Sequence, residues 1–177
     1  VLHFLMQVKM EPGNINMVQL SPTLQATRSN FTRVHQGKTP PYLEYFLDRR
    51  PHRVLVDSLQ SEQGARFHKK RNRNIIIRVE EDVPVLPDYA WLTLGQIQRL
   101  MTIDNIVNMD TRTVLGCIPY AACDEAAGMI TDPFREGLYR SAIAEEAQAR
   151  HTLEELLSWF TEQKIRYELD VDRIALN

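Results

Sequence analysis

Alternating apolar and polar positions open the chain and predict a β-strand over residues 1–10. The apolar positions that share one face of this strand are Leu2, Phe4, Met6, Val8 and Met10. The pair Pro12-Gly13 that follows is typical of a type II turn, and residues 16–20 return as a second strand. The pattern therefore predicts a hairpin over residues 1–20. The polar residues at its tip, Glu11, Asn14 and Asn16, fit a functional site and an ordinary turn equally well.

Two apolar runs, Val54-Leu55-Val56 and Ile75-Ile76-Ile77, bracket a polar and strongly basic segment in the middle of the chain. The β-branched second run predicts a buried strand. The cations between the runs are Arg66, Lys69, Lys70, Arg71 and Arg73. Arg and Lys give charge-assisted hydrogen bonds to anions, so this segment suits a phosphate or another polyanion. A solvated basic loop is the alternative interpretation.

Between the first hairpin and this central stretch, residues 21–41 are polar and have no clear period. A connection of this length, rich in donors, favours a binding loop over a disordered one. Residues 41–47 then predict a short helix with Pro41 near its first turn. Its aromatic face, formed by Tyr42, Tyr45 and Phe46, is predicted to lie in the core.

Capping signals predict the helices of the second half. Thr93 with Gln96 is a capping-box pattern that opens a helix through about Met101. Asp110 is predicted to cap a further helix over residues 111–118. The polar set around it, Asn105, Asn108, Asp110 and Arg112, fits helix capping and ligand binding about equally.

The end of the chain gives three more elements. Asp132-Pro133 predicts a helix that runs to about Arg150, with Ile143 among its apolar positions. A second capping box, Thr152 with Glu155, opens another helix. Alternation from Ile165 onward predicts a closing strand up to residue 176.

Composition bounds the class of protein. The chain has 177 residues, 44% hydrophobic and 25% charged, which fits one globular domain with a short appendage. Its apolar runs are too short to span a bilayer and no secretory leader opens it. We therefore expect a cytoplasmic protein with no membrane partner. Cys117 and Cys123 lack metal-like spacing and are predicted to be ordinary thiols.

Charge is unevenly distributed along the chain. Residues 28–78 hold 12 basic and four acidic residues, a net charge of +8, whereas the remainder carries −10. Such segregation favours an anionic ligand on the basic part. The aromatic residues there do not form the run of a single-strand binder, so a small diphosphate is favoured over nucleic acid.

Several strings of this sequence resemble the NDP-hexose 2,3-dehydratases of deoxysugar biosynthesis. They are QVKMEPGNIN (7–16), QLSPTLQATRSNFTRVH (19–35), PYLEYF (41–46), SLQSEQGARFHKKRNRN (58–74), WLTLGQIQRL (91–100), DNIVNMDTRTVL (104–115) and HTLEELLSWFTEQKIRYEL (151–169). The resemblance covers nearly the whole chain. It implies an α/β (α+β) fold, in which a Nudix-like mixed sheet is flanked by helices.

The resemblance also implies a division of the chain. Residues 1–120 would be the latter part of one Nudix-like repeat, 121–150 a linker and connecting helix, and 151–177 the start of a second repeat. A homodimer is implied as well. Aligned on Gly64, residues 57–65 keep only Leu59, Glu62, the glycine and a small apolar residue of a working Nudix box. One carboxylate cannot assemble an Mg²⁺ site, so we expect a metal-free relative that retains a diphosphate grip.

The activity implied by the resemblance needs no cofactor. The substrate would be a dTDP-4-keto-6-deoxyhexose, whose ketone acidifies the C3 proton. A base removes that proton, and the C2 hydroxyl leaves as water. Such chemistry needs a base, an acid and a donor aimed at the enolate oxygen.

The predicted catalytic residues are Glu62 or Glu11 for proton transfer and Lys9 for the enolate, with Asn14 as the alternative donor. Arg28, Arg71 and Arg73 are predicted to hold the diphosphate. The full set of predicted substrate-binding residues is Asn14, Arg28, Ser29, Asn30, Thr32, Gln63, Arg71, Arg73, Asn74, Asn108 and Arg112. An ion pair with Arg66 or Lys69 is an equally good interpretation of Glu62. A non-catalytic dTDP-sugar-binding repeat, or an inactive fragment of such an enzyme, is the alternative function.

Overall fold

A computed structural model describes residues 1–11, 15, 18–27, 39–47, 54–61, 70–119 and 133–166. Within these ranges the strands are β1 (Phe4–Met10), β2 (Val18–Pro22), β3 (Val54–Ser61), β4 (Arg71–Ile77) and β5 (Tyr89–Leu92). The α-helices are α1 (Leu43–Leu47), α2 (Leu94–Met101), α3 (Met109–Gly116), α4 (Pro133–Ala142) and α5 (Leu153–Ile165), with a 3₁₀ turn at Glu146–Gln148. Helices against antiparallel sheets confirm the predicted combination of α and β structure. The strand pairs within the two sheets are antiparallel, an isolated parallel bridge joins Leu20 to Val107, and the Nudix-like arrangement stays a prediction.

The three-stranded sheet has the order β2-β1-β5, with both neighbours antiparallel to β1. Met10 lies opposite Val18 and Leu5 lies opposite Trp91, so the predicted first hairpin is confirmed. Its predicted turn, residues 12–14, lies outside the described residues. Successive side chains of a strand point to opposite faces. Met6 and Val8 therefore face the core and are buried, whereas Gln7 and Lys9 share the other face.

The main core lies on the Met6 and Val8 face. Its fully buried members include Leu20, Leu92 and Ile97, and burial of one such side chain contributes about 1.5–3 kcal/mol. Leu138 of α4, together with Leu156 and Phe160 of α5, belongs to the same cluster. The last two helices thus contribute to the main core, although the resemblance implied that residues 151–177 open a second repeat. The division into repeats itself stays a prediction.

The capping boxes predicted for α2 and α5 are confirmed. The Thr93 hydroxyl accepts from the Gln96 amide nitrogen, and the Gln96 side chain accepts in return from the Thr93 nitrogen. Thr152 and Glu155 repeat this arrangement at the start of α5. Each box satisfies two of the backbone donors that a helix start leaves free.

Three predicted boundaries were wrong. Helix α3 is capped by Asn108, not Asp110, and so begins two residues early. Helix α4 ends at Ala142 and not near Arg150, after Ser141 bonds to Leu94 N and Leu2 O, and Ile143 is 61% exposed. Ile165 ends α5, where a strand was predicted, and is 76% exposed. The rest of that predicted strand lies outside the described residues.

The two apolar runs of the central stretch form an antiparallel hairpin, β3–β4. The strand predicted for the second run is confirmed, whereas its pairing with the first run was not predicted. Val56 and Ile76 face inward against the main core, whereas Asp57, Leu59 and Arg73 lie on the exposed face. The connecting residues 62–69, with Arg66 and Lys69 of the predicted cation cluster, lie outside the described residues. Of the helices that the structure describes, none has the length and apolar character needed to cross a membrane.

Candidate functional site

The face of the sheet opposite the main core carries a second small hydrophobic cluster around Leu5 and Tyr89, and polar side chains beside it. Gln7 and Lys9 of β1 share it with their register partners Ser21 and Gln19 of β2. Gln19 and Ser21 are nevertheless buried, so segments of the chain cover this face. A buried polar group needs a hydrogen-bond partner, and the partners of Lys9 define the candidate site.

Lys9 lies at the centre of a chain of four polar side chains, Glu11, Lys9, Gln25 and Asp110, which we call the Lys9 cluster. The Lys9 Nζ atom is 2.7 Å from Glu11 Oε1 and 2.9 Å from Gln25 Oε1. The Gln25 Nε2 group donates to Asp110 Oδ2. The Lys9 and Glu11 side chains are 31% and 29% exposed, so the ammonium and the carboxylate are both accessible from solvent.

Asp110 is placed by the anchoring of α3 to β2. The backbone of Leu20 donates to Ile106 O at 2.7 Å and accepts from Asn108 N at 3.0 Å. The Thr111 hydroxyl also donates to Leu20 O, at 3.0 Å. These bonds fix the first turn of α3 beside the end of β2, and Asp110 lies in that turn. A carboxylate is favoured there because a helix start carries partial positive charge.

The Lys9 cluster brings together a cation and two carboxylates. A partly exposed ammonium such as that of Lys9 can donate to an oxygen that develops negative charge, as at an enolate. A carboxylate within contact of it accepts or returns a proton. The cluster therefore has the groups needed for proton abstraction next to a carbonyl.

The sequence profile described as NDP-hexose 2,3-dehydratase matches residues 1–118 of the chain. The chain belongs to this family. Three curated relatives share one name, dTDP-4-dehydro-6-deoxy-alpha-D-glucopyranose 2,3-dehydratase. The protein from Saccharopolyspora spinosa is 54% identical over 179 residues, which cover 100% of this chain and 36% of that protein.

The relative from Amycolatopsis orientalis is 47% identical over 176 residues, covering 99% of this chain and 33% of its own length. The relative from Streptomyces violaceoruber is 43% identical over 178 residues, covering 100% and 37% respectively. The chain thus spans about a third of the length of these 2,3-dehydratases. The resemblance found in the sequence is confirmed at the level of the family.

The structure brings together two of the three catalytic residues predicted for this dehydratase family member, Lys9 and Glu11. Glu62 lies outside the described residues. Six of the predicted binding residues also lie outside the described residues: Asn14, Arg28, Ser29, Asn30, Thr32 and Gln63. Their roles stay predictions.

Sequence reasoning missed Gln25 and Asp110 as members of the cluster. Asp110 was predicted as a helix cap and weighed as a ligand-binding residue, but not beside Lys9, and Gln25 appeared only within a string of loop residues. Lys9 and Glu11 are two positions apart on one strand face, which alternation can reveal. Gln25 and Asp110 are 85 positions apart, so only the anchoring of α3 to β2 brings them together.

The predicted diphosphate residues that the structure describes lie on the β3–β4 hairpin. Arg71 is exposed at the start of β4. The Arg73 Nε atom donates to Asp57 Oδ1 at 2.6 Å, and its Nη2 group donates to the other oxygen of the same carboxylate. This hydrogen-bonded carboxylate raises the pKa of Arg73. Two of the five guanidinium donors are thereby occupied, and the other three have no hydrogen-bond partner among the described residues.

Asn108 and Arg112 were also predicted to bind substrate. Asn108 is 3% exposed. Its Oδ1 accepts from Thr111 N at 2.8 Å, and its Nδ2 donates to Ser21 Oγ at 2.9 Å. These bonds cap α3 and favour a structural role, so the predicted substrate contact gains no support. Arg112 is exposed on α3 and its Nε atom is 3.4 Å from Asn108 O.

Asn74, another predicted binding residue, is 7% exposed on the inner face of β4, opposite Ser58. Its Nδ2 group is buried and has no hydrogen-bond partner among the described residues. Burying an unsatisfied donor costs about 1–3 kcal/mol. A native group of this kind needs an explanation, and a ligand that accepts from the amide would supply one.

Replacing Asn74 by leucine tests this explanation. We expect the free energy of unfolding to stay the same or rise by up to about 2 kcal/mol, because an unsatisfied donor is removed. The affinity for dTDP should fall about fivefold if the amide contacts the nucleotide. Urea unfolding and calorimetric titration measure the two quantities, and Asn72→Leu is the matched control on the same face. Unchanged dTDP affinity would remove Asn74 from the nucleotide-binding residues.

Two tyrosines border the polar face of the sheet. Burial, together with the nearby Asp88 carboxylate, raises the pKa of the Tyr89 phenol. Burial also raises the pKa of Tyr42, although a hydrogen bond from the Leu86 backbone opposes this. Both phenols are therefore protonated at neutral pH, and each hydroxyl can donate one hydrogen bond as well as accept, as Tyr42 does from Leu86 N. The Tyr42 hydroxyl donates to Pro84 O at 2.8 Å, and its ring meets that of Tyr89 edge-on at 4.8 Å.

Asp88 also ties this region to β1, because Gln7 Nε2 donates to Asp88 Oδ2 at 2.8 Å. The tyrosine pair thus holds the loop before β5 against the polar face. No group of three His, Cys, Asp or Glu side chains in the described part of the chain has the arrangement of a metal site. The chemistry available from the described residues is that of the Lys9 cluster.

Proposed function

We propose that this chain carries a substrate-binding and proton-transfer site of a sugar-nucleotide 2,3-dehydratase that acts in deoxysugar biosynthesis. The observation that carries the proposal is the position of the Lys9 ammonium, 2.7 Å from Glu11 Oε1 and 2.9 Å from Gln25 Oε1. The Lys9 and Glu11 side chains are each about one-third exposed. Family membership and the shared name of the three relatives support it. The substrate class is a dTDP-4-keto-6-deoxyhexose.

The reaction assigns a step to two groups of the Lys9 cluster, Glu11 and Lys9. A carboxylate, Glu11 in this chain, takes the C3 proton. The electron pair of the broken C3–H bond then forms the enolate of the 4-ketone. Lys9 donates to the enolate oxygen, where negative charge develops. The enolate then re-forms the ketone as the C2–O bond breaks, and the departing hydroxyl takes the proton that Glu11 accepted from C3 and leaves as water. The enol that results relaxes to a 3,4-diketo-2,6-dideoxy sugar, so substrate equals product plus water.

The proposal has finer parts that come from the family resemblance. We include a Nudix-like pocket that grips the diphosphate through Arg71 and the free donors of Arg73, assembly as a homodimer, and a place in antibiotic biosynthesis. Glu62 is retained as an alternative proton acceptor. A dTDP-binding repeat without catalysis is the second candidate, and the short span relative to the full-length relatives favours its inclusion.

The deciding experiment has two stages. We expect dTDP to bind this 177-residue chain, with a change in the fluorescence of Trp91 or Trp159 or heat measured by calorimetry. Incubation with dTDP-4-keto-6-deoxyglucose should then release a diketo sugar, detected by mass spectrometry as the loss of one water. Binding without turnover supports the second candidate. A folded chain that does not bind dTDP contradicts the proposed binding site for this chain alone.

A further inference from the structure

Gln25 is the link that joins the Lys9 ammonium to the start of α3. Its side-chain oxygen accepts from Lys9 Nζ at 2.9 Å, and its side-chain nitrogen donates to Asp110. An ammonium has only donors and a carboxylate has only acceptors. The amide therefore fits in one orientation only, since a flipped amide would face donor to donor and acceptor to acceptor.

The far end of this link is fixed. Asp110 lies in the first turn of α3, and that turn is tied to β2 by the bonds of Asn108 and Thr111. The near end is a lysine, whose four-carbon chain has many rotamers and costs much entropy to hold. Glu11 alone cannot fix Lys9, because one ion pair between partly exposed side chains is a weak constraint.

We propose that Gln25 is a positioning residue, which holds the Lys9 ammonium toward the reacting sugar and takes its own orientation from Asp110. This inference rests on the proposed function of Lys9. Gln25 touches no reacting atom in this scheme and acts through Lys9. Its removal would leave Lys9 charged and present but free to leave the productive geometry, and such misplacement lowers the rate of the chemical step.

The test compares three variants. Gln25→Leu keeps the side-chain size and removes both hydrogen bonds. Gln25→Glu keeps an acceptor for Lys9 but places a carboxylate against Asp110. Gln98→Leu, on the exposed side of α2, is the matched control.

Two readouts are expected to move together. In Gln25→Leu we expect kcat to fall about tenfold while KM and the dTDP affinity change less than about twofold, because substrate binding does not use the lost bonds. Acetic anhydride should also acylate Lys9 about two- to tenfold faster in this variant, measured relative to Lys164 in the same sample. The reason is that the hydrogen bond from the Lys9 ammonium to the Gln25 side chain is lost. Gln25→Glu should restore the slow acylation, and Gln98→Leu should behave like the starting protein.

The acylation readout separates this inference from the proposed function. If the starting protein shows no turnover but Lys9 acylation rises in Gln25→Leu, the dehydratase proposal fails and the positioning of Lys9 by Gln25 stands. If turnover is present but neither kcat nor the acylation rate changes in Gln25→Leu, the inference is overturned. A loss of stability without either change would assign Gln25 a structural role and would also overturn it.

Discussion

Replacement of Lys9 by methionine is expected to lower the turnover of the proposed dehydration by about 10²- to 10⁴-fold. Methionine has a similar length and no charge, so the donor to the enolate oxygen is lost and little packing changes. The affinity for dTDP should stay within about threefold, because the nucleotide is assigned to other residues. The quantities to measure are kcat and KM with dTDP-4-keto-6-deoxyglucose and the dissociation constant of dTDP.

The stability of the Lys9→Met variant is expected to change little. The Lys9–Glu11 pair is about one-third exposed, and such pairs contribute about 0–1 kcal/mol. Lys164→Met is the control, since Lys164 lies over the Phe160 ring of α5 at 5.1 Å and belongs to a different part of the fold. Equal turnover in Lys9→Met and the starting protein would exclude Lys9 from the mechanism, and a loss common to both variants would point to general damage.

The elements predicted correctly from the sequence are those whose cause is local. A capping box needs only two side chains three positions apart, and the pairs at Thr93 and Thr152 therefore gave the starts of α2 and α5. The first hairpin follows from alternation and a turn, because pairing partners are close along the chain. Where local sequence signals agree with the final fold in this way, an element can be predicted from one sequence.

The predictions that were wrong concern helix boundaries that are fixed by contacts between residues far apart in the sequence. Asn108 and Asp110 both have the chemistry of a cap. Asn108 is the cap in the structure, and its side-chain amide also donates to Ser21 Oγ, 87 positions away. The end of α4 is likewise set by its contact with α2, since the Ser141 hydroxyl accepts from Leu94 N at 2.8 Å and donates to Leu2 O at 2.6 Å.

The candidate site follows the same division. Lys9 and Glu11 could be proposed from the sequence because strand alternation places them on one face. Gln25 and Asp110 could not, because their contact depends on where α3 docks on β2. The resemblance implied the type of reaction. The fold shows which side chains of the described residues are close enough together to take part in it.

The contact between α2 and α4 makes Gly95 the most sensitive glycine that the structure describes. A Cβ atom at Gly95 would lie 2.4 Å from Ala142 O and 3.2 Å from Ala142 C. Both are backbone atoms, so no flexible side chain can move aside. We expect Gly95→Ala to lower the free energy of unfolding by about 1–3 kcal/mol or more. Urea unfolding, followed by the fluorescence of Trp91 and Trp159, measures it.

Gly116→Ala is the matched control, because it makes the same substitution in a helix where a Cβ would meet nothing within 4 Å. Alanine restricts the unfolded chain more than glycine does, so this variant should be neutral or more stable by about 0.5–1 kcal/mol. The opposite signs separate close packing from a general effect of alanine. If Gly95→Ala unfolded at the same urea concentration as Gly116→Ala, α4 would not be packed on α2 as described. Leu94 N would then have lost its bond to Ser141, and the packing of α4 on the main core through Leu138 would also be in doubt.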